Sequence, residues 1–191
     1  MLLFYGHSGD LPYAVQFWWE AADKRRSYNN DRRDFDVGWP EKLLFVLGMI
    51  LFMEVFAWAT HKYVMHGIGW KWHRSHHEPN GGKLEKNDLY AVTFAAVVVS
   101  MFAIGTVWEV WWWAALGATI YGVIYAFVHD IMVHHRFGTR WVPRRGYAKR
   151  LLQAHRLHHS VKERDGGVSF GFLIAPNAAR LRQQLAQRAT R

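Results

Sequence analysis

Three long apolar segments constrain the fold of this 191-residue chain more than any other feature of its sequence. They cover residues 43–60, 89–108 and 110–128, and Glu54 is the only charged residue within them. Each segment approaches the roughly 20 mostly apolar residues that a helix needs to cross a bilayer. A soluble protein would have to bury these segments, and the rest of the chain is too short to cover them. The sequence therefore predicts an all-α membrane protein with about three transmembrane helices.

Eleven of the twelve histidines fall into four tight clusters. The clusters are HKYVMH at 61–66, HRSHH at 73–77, HDIMVHH at 129–135 and HRLHH at 155–159. Neutral imidazole is the commonest metal ligand in proteins, and neither core packing nor a solvated surface requires such repeats. The chain has no cysteine, which excludes thiolate-ligated zinc, haem and iron–sulfur sites. The clusters predict a metal site with nitrogen and oxygen ligands.

The order of segments and clusters predicts that all four clusters lie on one side of the membrane. The first apolar segment ends at His61, the second follows the HRSHH cluster, and the third ends at His129 after a hairpin near residues 105–109. Thirteen lysines and arginines, against three acidic residues, lie from His129 onward. By the positive-inside rule, the histidine clusters should form a helical cap on the cytoplasmic face of the inner membrane.

The basic residues of the N-terminal region do not fit this topology simply. Those at 24–33 would lie on the opposite side, unless a fourth segment around residues 11–19 is embedded in the membrane without spanning it. The sequence leaves the side of residues 1–38 open. The net charge of +9 does not predict nucleic-acid binding, because no nucleic-acid motif accompanies it and the basic residues flank apolar segments.

The spacing within the clusters predicts how the rings converge. A helix brings the first, fourth and fifth residues of HxxHH to one side, which predicts one set from residues 73–77 and another from residues 155–159. The two histidines of HxxxxH lie roughly 140° apart on an ideal helix. The pairs at 61/66 and 129/134 therefore need a helix end or a π-type bulge to point together.

A five-position pair followed by HxxHH occurs twice, which gives five histidines in each half of the chain. Ten ligands exceed the four to six that one metal ion takes, so we predict two metal ions. Imidazole alone does not separate iron from zinc, copper or nickel, and a zinc hydrolase stays an alternative. Nitrogen ligands beside a bilayer, without an obvious nucleophile, favour oxygen chemistry on an apolar substrate. The ten candidate ligands are His61, His66, His73, His76, His77, His129, His134, His155, His158 and His159.

Several carboxylates are candidates to accept a hydrogen bond from these ligands, on the side of the ring away from the metal ion. Glu54 lies seven positions before His61, near the same helix face, and a carboxylate inside a span is costly enough to suggest a role. We expect it to accept a ring N–H from a metal-binding histidine. The alternative is a pair with another polar group in the membrane. Asp88, Asp130 and Asp165 lie beside the clusters and are similar candidates, or helix caps and solvated charges.

The segments around the clusters carry a family resemblance. MEVFAWATHKYVMHG, HHEPNGGKLEKNDLYAV and YAKRLLQAHRLHHSVKERDGGVSFGFLIAP resemble the bacterial β-carotene 3-hydroxylases, within the fatty-acid hydroxylase superfamily of membrane non-haem di-iron enzymes. The resemblance covers about residues 39–175. It implies hydroxylation of the β-ionone ring of β-carotene at C3, giving β-cryptoxanthin and then zeaxanthin. It also implies two iron ions, O2 as co-substrate, and electrons from an external donor such as a ferredoxin.

The resemblance also divides the chain and its remaining histidines. It assigns His134 as the ligand and His135 as its neighbour, while His7 lies in the N-terminal extension, residues 1–38, whose role it does not explain. We expect the hydroxylase domain at 39–175, with a carotenoid arriving from the lipid bilayer through a groove between the spans. Residues 176–191 read as a basic helix or tail that Asn177 caps, either lying on the membrane, docking the electron donor or simply solvated.

Other functions stay open on the sequence alone. A fatty-acid or sterol hydroxylase or desaturase of the same superfamily is the main alternative. A histidine-rich metal transporter is a further one, although it would place ligands along a path within the spans. The sequence does not determine the oligomeric state.

Overall fold

The structure is a computed structural model that describes residues 12–33, 37–78, 84–136, 138 and 141–190. The chain divides into two compact units, Met1–Gly38 and Trp39–Arg191. Helix α1, Tyr13–Arg33, belongs to the first unit and contains most of the segment at 11–19, whose embedding in the membrane the sequence left open. His7 lies outside the described residues. The remaining helices belong to the second unit. The described residues contain no strand, which confirms the all-α prediction.

Three helices of the second unit are long and apolar enough to cross a membrane, as predicted. Helix α2, Trp39–Ala59, continues into a π-helical segment, π1, Thr60–Ile68. Helix α4, Asp88–Gly105, is joined by a short turn to α5, Glu109–Ala126, which continues into a second π-helical segment, π2, Phe127–Val133. Only 11% of the apolar window of the first span and 6% of that of the second are buried, as lipid-facing helices require. The chain is thus built as a multi-pass membrane protein.

Helix α5 packs against both other spans through small residues. Ala115 and Ala118 are almost completely buried, and a Cβ atom at Gly117 would lie 2.6 Å from the Val46 carbonyl oxygen of α2. Small side chains allow two helix backbones to approach closely, which is how membrane helices gain packing energy without a hydrophobic driving force. The contact therefore fixes α2 beside α5, so that π1 and π2 end at the same side.

Three shorter helices form a cap beyond the ends of π1 and π2. They are α3, Trp70–His77, α6, Gly146–His158, and α7, Ala178–Ala189. The cap has its own apolar core, in which Met132 of π2 packs with Leu152 of α6 and Leu181 of α7. The side-chain oxygen of Asn177 accepts a hydrogen bond from the Ala179 N–H at 2.9 Å, which confirms the predicted cap of the last helix.

Candidate metal centre

The two π-helical segments solve the alignment problem of the HxxxxH pairs. A π-helix joins residues i and i+5 by backbone hydrogen bonds, so side chains five positions apart share a face. The His134 N–H donates to the His129 carbonyl at 2.9 Å, and the Gly69 N–H donates to the Val64 carbonyl at 2.8 Å. These are i+5 bonds at the ends of the two segments. Of the two predicted alternatives, a helix end or a π-type bulge, the structure shows the π-type geometry at both pairs.

The ten candidate histidines converge into two adjacent groups. Group one consists of five histidines with ring nitrogens that lie within 4.8 Å of one another: His61, His66, His73, His77 and His158. Group two consists of four histidines that meet the same criterion: His76, His134, His155 and His159. The tenth ring, His129, joins group two through a distance of 2.9 Å between its Nε2 and that of His76.

The membership of the groups corrects one expectation, because each HxxHH cluster is divided between them. His73 and His77 belong to group one while His76 faces group two, and His158 leaves its own cluster for group one in the same way. On a helix, residues four apart are rotated by about 40° and residues three apart by about 60° in the opposite sense. The fourth and fifth positions of the motif therefore diverge by about 100°. They can serve two centres that lie side by side.

Group one is oriented mainly by backbone carbonyls of one segment. We call residues 161–175, which follow α6, the strap. Ring Nδ1–H groups donate to strap carbonyls at 2.7–3.0 Å, in the pairs His61 to Phe170, His66 to Arg164, His77 to Val161 and His158 to Val168. The fifth ring, His73, donates from Nδ1 to the side-chain oxygen of Asn87 at 2.8 Å. Every Nδ1 of group one is thereby a donor, which leaves every Nε2 with a lone pair.

Two rings of group two are oriented by carboxylates instead. His76 Nδ1 donates to Glu85 at 2.9 Å, and His129 Nδ1 donates to Asp130 at 2.9 Å. Asp88 holds this side of the cap together, because it accepts two bonds of 2.7 Å from Arg136 and one of 2.9 Å from the Glu85 N–H. Carboxylate partners raise the basicity of an imidazole ligand more than carbonyls do, so His76 and His129 differ in electronic character from the rings that donate to the strap.

The inward-facing nitrogens fit bound cations. Nε2 of His66 lies 3.2 Å from Nε2 of His158, and Nε2 of His73 lies 3.1 Å from that of His61 and 3.2 Å from that of His77. Two neutral rings that both donate from Nδ1 present lone pairs to each other at such a distance, which is repulsive. Ligands about 2.1 Å from one metal ion and at right angles are about 3.0 Å apart.

Group two gives the same result from a different observation. Nε2 of His159 is buried without a hydrogen-bond partner among the described residues. A buried polar atom without a partner is costly, and an inward-facing one beside three other imidazoles is satisfied by a metal ion. The donor sets of both groups therefore fit nitrogen-ligated metals.

Burial lowers the pKa of the histidines that lie beyond the spans. The pKa of His77 falls to about 4, that of His134 and of His158 to about 3, and that of His73 to about 2. In each case removal of the ring from water is the largest cause. These rings are neutral at pH 7, which is the form that binds a metal ion.

The other predicted residues have mixed outcomes. The structure brings Asp130 to a histidine ring, but it places Asp165 at the surface beside Arg164. The Glu54 carboxylate contacts Tyr121 and the strap backbone rather than a ring, which corresponds to the alternative of a polar partner within the membrane. His135 adopts a positive φ of 52° and belongs to neither group.

Two residues that orient the rings were missed in the sequence. Glu85 and Asn87 lie in the KLEKNDLYAV segment, 9 and 14 positions after the histidines that they contact. The sequence could have indicated them, since polar residues between the HRSHH cluster and the next span are placed close to the histidines. Nothing in the sequence indicated the strap carbonyls, because backbone groups have no residue signature.

Comparisons with known proteins agree with these features. A model of the fatty acid hydroxylase family matches residues 46–175. The chain is 51% identical over 144 residues to a beta-carotene hydroxylase of Paracoccus sp., covering 74% of this chain and 89% of that protein. It is 49% identical over 152 residues to the beta-carotene hydroxylase of Pantoea ananas, covering 78% and 86%. A chloroplastic beta-carotene 3-hydroxylase of Haematococcus lacustris is 40% identical over 141 residues, covering 70% and 43%. No solved structure matches significantly.

Proposed function

This chain belongs to the fatty acid hydroxylase family, and from that premise we propose that it hydroxylates the β-ionone ring of β-carotene at C3. The products are β-cryptoxanthin after one turnover and zeaxanthin after a second. Each turnover inserts one oxygen atom of O2 into a C–H bond, takes up two electrons and two protons, and releases water. In support, the relatives at about half identity are named beta-carotene hydroxylases.

The observation that carries the proposal is the pair of inward-facing histidine groups at one end of the spans. We assign five rings to each of two iron ions, with His129 completing group two. Bound iron would supply the activation of O2, which side chains cannot perform. The protein holds the rings, orients them through their Nδ1 partners and keeps them neutral.

Aromatic side chains of the strap shield both groups from water. The Phe170 ring lies 5.6 Å from that of His61 and 5.3 Å from that of His158, between ring centroids. The Phe172 ring lies 5.4 Å from that of His129 in group two. Exclusion of water by these rings would limit side reactions and suit a hydrocarbon substrate.

The carotenoid has no polar group, so we propose that it enters from the bilayer between the spans. Selection of C3 then depends on how deeply the ring inserts, because apolar contacts distinguish one methylene by only about 1–3 kcal/mol. The groove itself stays a prediction.

We place the cap on the cytoplasmic face of the inner membrane. Its exposed surface is rich in basic residues, namely Arg144, Arg145, Lys149, Arg156 and Lys162, as the positive-inside rule requires. A basic surface also suits an acidic electron donor of the ferredoxin kind, which we propose as the source of the two electrons.

The test is production of zeaxanthin in a bacterium that accumulates β-carotene. Wild-type protein should yield β-cryptoxanthin and zeaxanthin, and His158→Ala should yield neither. Failure of folded, iron-loaded wild-type protein to hydroxylate carotene would contradict the proposal. Conversion of added fatty acids or sterols in that case would support the alternative hydroxylase or desaturase.

A further inference from the structure

Glu54 is a buried carboxylate in the middle of the first span, and it is 7% exposed. One carboxylate oxygen accepts backbone N–H groups of Phe172, Leu173 and Ile174, each at 2.9 Å. The other accepts the Tyr121 hydroxyl at 2.8 Å and a second contact from the Leu173 N–H at 3.0 Å. Three consecutive amides of the strap thus converge on one side chain of α2.

The Glu54 carboxylate and the strap amides each need the other as a hydrogen-bond partner. A charged side chain inside a span is costly unless it is fully hydrogen-bonded. Conversely, N–H groups at membrane depth have no water to bind, so irregular backbone there needs a partner within the protein. Concave rows of amides are natural binding sites for anions. Glu54 therefore fixes where the end of the strap can lie.

The strap turns tightly over this carboxylate. A Cβ atom at Gly171 would lie 3.0 Å from the Ile174 carbonyl oxygen and 3.4 Å from the near oxygen of Glu54. A side chain at Gly171 would push the turn away from α2. The absence of a side chain at this position is thus part of the contact.

The fixed end of the strap lies next to its contacts with group one. The Phe170 carbonyl, which accepts from His61 at 3.0 Å, is two residues before the first anchored amide. The Val168 carbonyl, which accepts from His158 at 2.9 Å, is four residues before it. A displacement of the anchored turn moves both acceptors, and with them the directions of two Nε2 lone pairs.

Group two contacts the strap through the Phe172 ring, but the Nδ1 hydrogen bonds of His76 and His129 do not involve it. The Nδ1 partners of His76 and His129 are the carboxylates of Glu85 and Asp130, which belong to other parts of the chain. Loss of Glu54 should therefore act on one group more than on the other. This selectivity distinguishes an effect on ring orientation from general damage to the fold.

We propose that Glu54 is a positioning residue: by anchoring the strap to the first span, it orients His61 and His158 in group one. The inference rests on the proposed function, since it assumes that group one holds a metal ion. Glu54 acts through the backbone of the strap and touches no ligand itself.

The experiment measures metal binding by purified protein in detergent, with Co²⁺ as a spectroscopic probe and Fe²⁺ for stoichiometry. Wild-type protein should bind two ions per chain. Glu54→Leu removes both acceptors and should weaken one of the two sites by at least about tenfold, the usual lower limit for loss of an outer-shell partner. The cobalt absorption of the weaker site should change while that of the other site stays. Glu54→Gln keeps one acceptor oxygen and should restore part of the lost affinity.

Two further variants keep the result interpretable. Glu109→Leu makes the same replacement at the start of α5, at the end of the spans away from the histidines, where Glu109 lies 2.8 Å from Lys42, and should leave both sites unchanged. Gly171→Ala retains the carboxylate but shifts the turn, and should weaken the same site as Glu54→Leu. It provides the test if Glu54→Leu does not fold.

The outcomes separate the two proposals. Two ions with unaltered spectra in Glu54→Leu and Gly171→Ala would overturn the positioning role and leave the proposed function intact. Equal loss of both sites in a variant of normal helicity would also overturn it, in favour of a purely structural role. Wild-type protein that binds neither ion would overturn the proposed function and this inference with it.

Discussion

Acidification should destabilise the metal-free protein strongly through histidines that fold in the neutral form. His134 and His158 each have a pKa of about 3 in the folded protein, lowered mainly by burial. Their ordinary value in an unfolded chain is about 6.5. Because the folded pKa is depressed, each ring contributes stability that is fully present above about pH 6.5 and is lost as the pH falls from there toward 3.

The magnitude follows from the two pKa values. Between pH 7 and pH 5 the unfolded chain gains proton-binding free energy of about 2 kcal/mol per histidine, while the folded chain gains almost none. His134 and His158 together should therefore lower the free energy of unfolding by about 4 kcal/mol. Typical domains are stable by only about 5–15 kcal/mol, so the loss from these two rings alone would be a large part of the total near pH 5.

The assay is unfolding of metal-stripped protein in mixed micelles at several pH values, followed by circular dichroism. His158→Gln removes one titrating ring, and its free energy of unfolding should fall by about 2 kcal/mol less than that of the wild type between pH 7 and pH 5. Lys149→Gln, on the exposed surface of α6, is the control and should retain the full slope. An identical slope in His158→Gln and the wild type would refute the reasoning.

Three further predictions concern single residues. His134→Ala should abolish carotene hydroxylation and remove one metal ion, whereas His135→Ala should retain activity and both ions; the reverse result would exchange their roles. Asn87→Ala removes the acceptor of a group-one ring and should weaken one metal site about 10–100-fold in a competition titration, with unchanged affinity counting against the contact. Leu181→Ala should lower the free energy of unfolding by about 2–5 kcal/mol, because Leu181 is 1% exposed in the cap core. The exposed neighbour Arg182→Ala should change it by less than about 0.5 kcal/mol, and equal effects would show that α7 is not packed as described.

The spans were predictable because the signal for them is local. A run of apolar residues long enough to cross a bilayer needs no knowledge of its neighbours, and the segments at 43–60, 89–108 and 110–128 each fall within one observed helix or its turn. The extent of these helices was not predictable in the same way. The first one continues beyond the predicted end at His61 into π1, which reaches Ile68 with a kink at Gly67.

The histidine clusters were predictable as a collection but not as two sets. Spacing shows that HxxHH places three rings near one another, and it shows that HxxxxH needs a π-type distortion. It does not show which ring faces which centre. Which centre a ring faces depends on where the histidines of distant clusters lie. His66, for example, contacts His158, which is 92 positions away in the sequence. Because all these ligands are histidines, the residue types could not show that His76 faces group two and His158 faces group one.

By itself the sequence determined an all-α chain with three membrane-crossing helices, ten histidines gathered at one end of them, and a resemblance to carotene hydroxylases. The tertiary structure alone decided how the rings divide into two groups and what orients them. It also decided that Glu54 anchors backbone amides 118 to 120 positions away. The physical reason is that hydropathy and helical period are properties of neighbouring residues, whereas hydrogen bonds to backbone carbonyls and amides depend only on where distant segments meet.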